Sequence, residues 1–248
     1  MTKAHHVDHT VDARSLATLS RQLLTAVRTD GDISPLRHRL ASVDERTLSS
    51  LTVRKNRPAA KTFWINVYNA AAQHALAIDA NRFEDRRQFF GEPQITVAGT
   101  ALSLDSIEHG ILRGSQSKYG LGYLPQLFSS AFERRHRLPA DELDYRLHFA
   151  LNCGAASCPP ILAYNIDRIE AQLETATAAY LSSEVSYDST THTATVPRLL
   201  LWYRGDFDGK NGIYQLLSRQ KLIPPETTPQ LRYASYDWSL TRGAYRTD

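Results

Sequence analysis

Apolar residues recur at helical spacing through the first third of the chain. Leu16, Leu19, Leu23, Leu24 and Val27 fall on one face of residues 11–28, and Thr29-Asp30-Gly31-Asp32 ends the run, which predicts an amphipathic surface helix. Shorter helices are predicted over residues 35–41 and 44–52, the second with Asp44 as its N-cap. Arg54-Lys55-Asn56-Arg57-Pro58 then reads as a linker. Residues 61–78 have a different pattern: Phe63, Trp64, Ile65, Val67, Tyr68 and a series of alanines cover nearly the whole circumference, as in a helix buried on all sides. The exceptions, Asn66, Asn69 and Gln73, form one polar stripe. A buried amide without a partner costs about 1–3 kcal/mol. The stripe is therefore expected to face a groove, a buried loop or a catalytic group.

Beyond a charged helix end at residues 84–88, residues 94–104 alternate around Ala98-Gly99-Thr100, as a hairpin does. Asp105-Ser106-Ile107-Glu108 has capping-box spacing ahead of a short helix over 107–113. A glycine-bearing loop at 118–122 and a helix over 124–136 follow. Tyr145, Leu147, Phe149 and Leu151 alternate with Arg146, His148, Ala150 and Asn152, the period of a half-buried strand over 144–152. The remaining pattern predicts a helix over 166–181 capped by Asn165, a hairpin over 185–196, a helix at 199–203 opened by Pro197, a helix over 213–220 and a strand over 231–240. Helices and hairpins alternate without a β-α-β rhythm, so the fold class expected is α+β, with helices packed on a small antiparallel sheet. Residues 1–56 are expected to form an N-terminal helical region and 57–248 the core domain.

The chain of 248 residues is 42% hydrophobic, enough for a sizeable core. Its 29 basic and 26 acidic residues are spread along the sequence, leaving no electrostatic footprint for nucleic acid. The one basic cluster, Arg134, Arg135, His136 and Arg137, falls at a helix end, where cations favour the dipole. No run reaches the ~20 apolar residues of a membrane span, so no membrane partner is expected. Met1 to Thr10, with His5, His6 and His9, is polar and lacks the apolar core of a secretory signal. A cytoplasmic location is expected, with both cysteines kept as thiols. Two cysteines five positions apart supply too few ligands for a metal site, and no cofactor is expected.

Both cysteines lie in Leu151-Asn152-Cys153-Gly154-Ala155-Ala156-Ser157-Cys158-Pro159-Pro160. Cys153 stands at the exit of the predicted strand, Gly154 lets backbone approach a substrate, and the two prolines stop any ladder. A thiol attacks as thiolate and wants a nearby imidazole or other positive group. On an extended chain His148 would lie roughly 16 Å from Cys153. His109, on another element, is free to meet Cys153 across a cleft and is the preferred base. His74 is as well explained by core packing or a helix rim. Each residue also has an ordinary reading: Cys153 as a small buried hydrophobe, Glu108 as the capping-box acceptor.

Four separated blocks carry a resemblance. Phe63-Trp64-Ile65-Asn66-Val67-Tyr68-Asn69-Ala70, Leu102-Ser103-Leu104-Asp105-Ser106-Ile107-Glu108-His109-Gly110-Ile111-Leu112-Arg113, residues 148–160, and Tyr236-Asp237-Trp238-Ser239-Leu240 together resemble the family catalogued as domain of unknown function 547. The resemblance runs from about Arg57 to Leu240. It implies kinship with papain-like and transglutaminase-like cysteine enzymes, in a permuted chain because the histidine precedes the cysteine. Position by position, it implies Cys153 as nucleophile, His109 as base and Glu108 as a possible orienting carboxylate. Adjacent helical side chains point about 100° apart, which leaves Glu108 poorly placed to hold the ring of His109. Asn66 or Asn69 is then expected to orient the imidazole or donate to an oxyanion.

The activity expected is that of a cysteine hydrolase or acyltransferase acting on an amide or thioester bond of a peptide or small molecule. Cys153, His109, Glu108 and Asn66 are the expected catalytic residues, with Asn69, Asn152, Gly154 and His148 contacting substrate. Two other readings stand beside it: a non-catalytic module that binds a peptide or small thiol, and thiol–disulfide chemistry between Cys153 and Cys158.

Overall fold

A helix that is apolar all round needs neighbours on every side, and the chain supplies them in sequence. In the computed structural model, which describes residues 13–246, helices α1 (Ala13–Arg28), α2 (Ser34–Ala41) and α3 (Glu45–Ser49) precede α4 (Arg57–Ile78). The polar histidine-bearing start of the chain lies outside the described residues. Of the 22 residues of α4, 16 are buried, which makes it the central helix. Helix α1 packs along it and buries Leu16, Leu19, Leu23 and Leu24 in the same core. The expected linker is instead a 3-10 turn, Arg54–Asn56, running straight into α4. Pro58 fits the first turn, where no N–H is needed. Arg57 ties the entry down through the Thr52 carbonyl and Glu142.

After α5 (Arg86–Gly91), strands β1 (Pro93–Val97) and β2 (Thr100–Ser103) form the expected hairpin. Its two turn residues, Ala98 and Gly99, both sit in the left-handed region at φ 47° and 72°, as the tight hairpin turn demands. A π-helical turn (Ser106–Leu112) and α6 (Ala131–His136) follow. Then come α7 (Ile169–Glu184), β3 (Ser186–Asp188), β4 (Thr193–Val196), α8 (Leu199–Trp202), α9 (Gly209–Arg219) and β5 (Gln230–Tyr233). The fold is α+β. It does not have the single antiparallel sheet expected: β1 and β2 form one sheet, and β3-β4-β5 a second in which β4 and β5 run parallel. Helices α8 and α9 provide the crossover that a parallel pair requires. No helix among the described residues is long and apolar enough to cross a membrane.

Several local patterns yielded to stronger interactions. Residues 144–152 are not a strand: Tyr145–Phe149 is a 3-10 helix, opened by Asp144 accepting the Arg146 N–H at 3.1 Å. Lys61, Asp144, Arg146 and Glu170 form an ion cluster beneath it. The helix expected over 124–136 begins only at Ala131, where Ser130 and Glu133 make a reciprocal capping box. Leu127 and Phe128 remain exposed in the preceding loop. Asp105 makes no capping bond and pairs with Lys118 instead, while Ser103 Oγ accepts the Ser106 N–H at 3.0 Å. Asn165 accepts from the Asp167 N–H rather than capping α7, which starts at Ile169. The last strand stops at Tyr233, where β4, its partner, ends at Val196; further on, Leu240 makes an isolated bridge to Ala155 in the cysteine loop.

The ion cluster has a pH signature. Burial alone would push the Asp144 carboxyl up, but hydrogen bonds from Arg146 and the charge of Lys61 outweigh it and hold the group at about 2. A depressed carboxylate stabilises the fold fully above its unfolded value near 4 and loses that contribution as pH falls through about 2. The shift corresponds to about 2 kcal/mol. Asp144→Asn is expected to lower thermal stability at neutral pH and to flatten its fall between about pH 4 and pH 2; an unchanged acid profile would contradict the assignment.

Candidate active site

The polar stripe of α4 is the bed on which the cysteine loop lies. Asn69 donates through Nδ2 to the Ala150 carbonyl at 2.9 Å and accepts through Oδ1 from the Asn152 N–H at 2.9 Å. Gln73 Nε2 donates to Asn152 Oδ1 at 3.1 Å. Asn152 then spans its own loop, donating to the Pro159 carbonyl at 2.8 Å and accepting from the Gly154 N–H at 2.8 Å. Cys153 is thus clamped on both sides by an amide network anchored on one helix, Asn69 holding the Asn152 N–H and Asn152, itself held by Gln73, the Gly154 N–H. Of the three possibilities raised by the stripe, it faces a buried loop. Asn66 does the same for a different segment: it donates to the Tyr164 carbonyl and accepts the Tyr164 N–H, each at 2.9 Å.

Gly154 holds φ at +99°, in the left-handed half of the map, and a Cβ there would stand 2.4 Å from Leu76 Cδ1. Backbone strain and collision act together, so Gly154→Ala is expected to cost about 1–3 kcal/mol, read as a fall in Tm. An unshifted Tm would show that the loop relaxes freely.

Both thiols are free, and they touch. Cys153 Sγ lies 3.2 Å from Cys158 Sγ, which also receives the Cys153 backbone N–H at 3.3 Å and contacts the Tyr236 hydroxyl at 3.2 Å. Sharing a proton with Cys158, together with burial, pushes the Cys153 thiol well above the ordinary range. The hydrogen bond from Cys153 acts in the opposite sense on Cys158 and, aided by Tyr236 against the cost of burial, brings it down to about 7. The negative charge of the half-ionised pair therefore rests on Cys158, where three donors converge. The expected ionised Cys153 is thus replaced by a coupled pair.

Two imidazoles approach from different sides. Arg113 Nη1 donates to His109 Nδ1 at 2.9 Å. A guanidinium can only donate, so Nδ1 is the acceptor and the ring is the neutral tautomer with its proton on Nε2. Burial, with the Arg113 charge opposing that of Glu108, lowers the pKa of His109. Glu108 comes no closer than 3.9 Å to that ring; its Oε1 accepts instead from the Tyr203 hydroxyl at 2.7 Å. Burial would raise the Glu108 carboxyl, but the neighbouring His109 and His148 and the Tyr203 hydroxyl hold it below the usual range.

His148 is anchored differently. Its Nε2 meets Asp206 Oδ2 at 2.8 Å, and its ring stacks on Tyr203 with centroids 3.9 Å apart. Arg113 binds the same carboxylate bidentately, Nε to Oδ2 at 2.6 Å and Nη2 to Oδ1 at 2.9 Å. Burial pushes Asp206 up, but hydrogen bonds from His148 and Arg113 outweigh it and hold it at about 2. An ionised Asp206 accepts the Nε2 proton, which leaves Nδ1 as the lone-pair nitrogen of His148.

The 3-10 turn, with its shorter rise, replaces the extended run that would have carried His148 away from the thiol. His148, Cys153, Cys158, Glu108, Tyr68 and Tyr236 all line one cavity of about 80 Å³. His109 lines a larger adjoining cleft of about 610 Å³, and Phe90, Glu108, Trp202, Tyr203 and Trp238 belong to the walls of both. The structure therefore brings Cys153, His148 and Glu108 to one space and places His109 on the cleft side. Asn66, Asn69, Asn152 and Gly154 act in the framework, and none of them lines either space. Asp206, Arg113, Tyr203 and Cys158 complete the arrangement and were not singled out for these roles. Arg113 and Cys158 lay within the resembling blocks, whereas Tyr203 ends the helix predicted over 199–203 with nothing to mark it for chemistry and Asp206 follows that helix in an unmarked stretch. No cluster of three or more metal-ligating side chains occurs among the described residues.

Comparison with curated proteins finds no match, and neither does comparison with solved structures. Among protein-family models, the one described as "Protein of unknown function, DUF547" matches residues 53–181. That span takes in the whole of α4, the π-helical turn and the cysteine loop, just over half of the chain, and this protein belongs to the DUF547 family.

Proposed function

We propose that this protein is a cysteine hydrolase or acyltransferase in which Cys153 attacks an acyl carbon and His148, oriented by Asp206, carries the proton. The observation that supports this most is the common cavity of Cys153 and His148, with Nε2 of the imidazole committed to Asp206 and Nδ1 left for proton traffic. Cys153 Sγ bonds to the acyl carbon of an amide or thioester; of the two protons of the thiol pair, one passes to Nδ1 and the other stays on Cys158. The leaving group takes the Nδ1 proton as its bond to the acyl carbon breaks. Water or an acceptor then attacks the thioester, with Nδ1 receiving its proton, and the thiol is restored. His109, whose Nδ1 is already satisfied by Arg113, serves in this reading as a positioning group for Arg113.

The oxyanion needs a donor that is not already committed. The Cys153 and Gly154 N–H groups serve Cys158 and Asn152, and the stripe amides hold the loop. Tyr68 lines the cavity, and burial raises its pKa so that it stays protonated. It is the proposed donor, and Tyr68→Phe is expected to slow acylation roughly 10–100-fold without loss of fold. An unchanged acylation rate would remove it from the role.

The test is acylation by p-nitrophenyl acetate followed by intact mass and peptide mapping. The expected acyl group resides on Cys153, vanishes in Cys153→Ala, and forms at least tenfold more slowly in folded His148→Gln. Equal labelling of either variant would overturn the reading. One observation favours a second reading: sulfurs 3.2 Å apart can close to a disulfide, each losing one hydrogen to an oxidant. Ready loss of two daltons by mild diamide, with no acylation of the reduced protein, would favour that redox role. Either chemistry needs reduced thiols at the start, which suits a reducing compartment such as the cytoplasm.

A further inference from the structure

The cleft outside the thiol cavity has chemistry of its own. Its walls carry three cations, Arg86, Arg87 and Lys118, against two carboxylates, Asp105 and Glu108. The carboxylates are already engaged: Asp105 pairs with Lys118 at 2.5 Å and faces His109 Nε2 at 3.6 Å, and Glu108 accepts from Tyr203. That leaves Arg86 and Arg87, neither of which has an ion-pair partner among the described residues. The Arg86 guanidinium lies over the ring of Trp238, 4.9 Å from its centroid. An aromatic face holds a guanidinium plane while leaving its N–H edge free to donate in pairs to an oxyanion. Trp238 in turn packs against Trp202 and Tyr236, with centroids 5.9 and 4.6 Å away, and Trp238 and Trp202 belong to the wall shared with the thiol cavity. The cations and the thiols thus belong to two spaces that share one aromatic wall. A cleft of about 610 Å³ is of a size to hold a ligand of drug-like dimensions.

We propose that this cleft binds acyl compounds with an aromatic or aliphatic body ending in an anionic group, carboxylate or phosphate, held by Arg86 and Arg87 while the acyl carbon reaches Cys153. The proposal rests on the acyl-transfer reading for the second half of that sentence; the anion receptor stands by itself. The apolar body packs against the aromatic walls, and the anion replaces water around two guanidinium groups that no carboxylate among the described residues neutralises.

Calorimetric titration of the intact protein with three probes tests it: N-benzoylglycine, its uncharged amide, and the corresponding benzamidomethyl phosphonate. The carboxylate is expected to bind with a Kd at least tenfold below that of the amide, an advantage that shrinks with added salt. A tighter phosphonate than carboxylate would assign the site to phosphorylated ligands, and the reverse order to carboxylates; both orders support the anion receptor. In the double variant Arg86→Gln/Arg87→Gln the preference for acid over amide is expected to disappear. Equal binding of acid and amide to the wild type would overturn the proposal, as would an acid preference that survives in the double variant. Because binding is read without any reaction at the thiol, anion preference in a protein that never acylates Cys153 would sink the hydrolase reading alone. Acylation without anion preference would sink the receptor alone.

Discussion

Asp206→Ala is expected to destabilise the protein by about 3–5 kcal/mol and to slow acylation of Cys153 at least 100-fold. The carboxylate and its Arg113 partner are almost fully buried, with side-chain exposures of 1% and 0%. Removing the acid strands a guanidinium that cannot deprotonate in a place where water does not reach it, and that penalty dominates the cost. The same carboxylate fixes the ring of His148 through Nε2, so its loss also frees the imidazole to rotate and to change tautomer. A companion variant separates the two effects. Replacing Asp206 and Arg113 together by Leu and Met removes both charges and is expected to recover most of the stability, since an apolar pair of similar volume is often neutral. Acylation should stay slow, because the orienting acid is still missing. Recovery of both stability and acylation would show that Asp206 acts only on the fold. Chemical denaturation reads the first quantity and intact-mass kinetics the second.

Asn69→Leu is expected to cost about 2–6 kcal/mol, because the Ala150 carbonyl and the Asn152 N–H both lose their partner inside the core at about 1–3 kcal/mol each. Asn66→Leu breaks an equivalent pair of bonds to Tyr164 and should cost a similar amount. The two variants part company at the thiol. Asn69 holds the residues immediately before Cys153, so its replacement is expected to slow acylation at least tenfold in the folded fraction. Asn66 holds a segment away from the cavity, and its replacement should leave that rate within about twofold. Identical effects of the two on acylation would show that the stripe does nothing more than stabilise α4.

Much of this framework was legible in the chain. The stripe of amides on an otherwise apolar helix announced a buried polar surface, because a core cannot hold three unsatisfied amides. The Ala98-Gly99 hairpin followed from turn chemistry, and the Asp44 cap was confirmed by its bond to the Thr47 N–H at 2.8 Å. The geometry of Glu108 and His109 was likewise readable, since consecutive side chains diverge on a helix. What failed was alternation over residues 144–152. Capping by Asp144 and the ion cluster around Lys61 and Arg146 override that period, and the turn they create carries His148 to the cavity rather than away from it. That extended reading kept His148 out of consideration as a partner of Cys153 and left His109 as the preferred base; the proposed function returns His148 to the comparison. Asp206 was invisible for a different reason: it stands 58 residues from His148 and 93 from Arg113, and nothing local to it signals a buried acid. That Cys153 and Cys158 could meet was legible in their spacing, but the proton they share was not, because it depends on a 3.2 Å approach and on a tyrosine 78 residues beyond Cys158.

The central claim is that a thiol pair and an anchored imidazole act together in one cavity, and the pH dependence of Cys153 acylation reads it most directly. Rates of p-nitrophenyl acetate labelling, mapped by peptide and followed from about pH 5 to pH 10, should rise with a midpoint near 7, where the Cys153–Cys158 pair loses its first proton. A rate that climbs only through the ~8.5 of an ordinary cysteine, or an acyl group found on any residue other than Cys153, would contradict it.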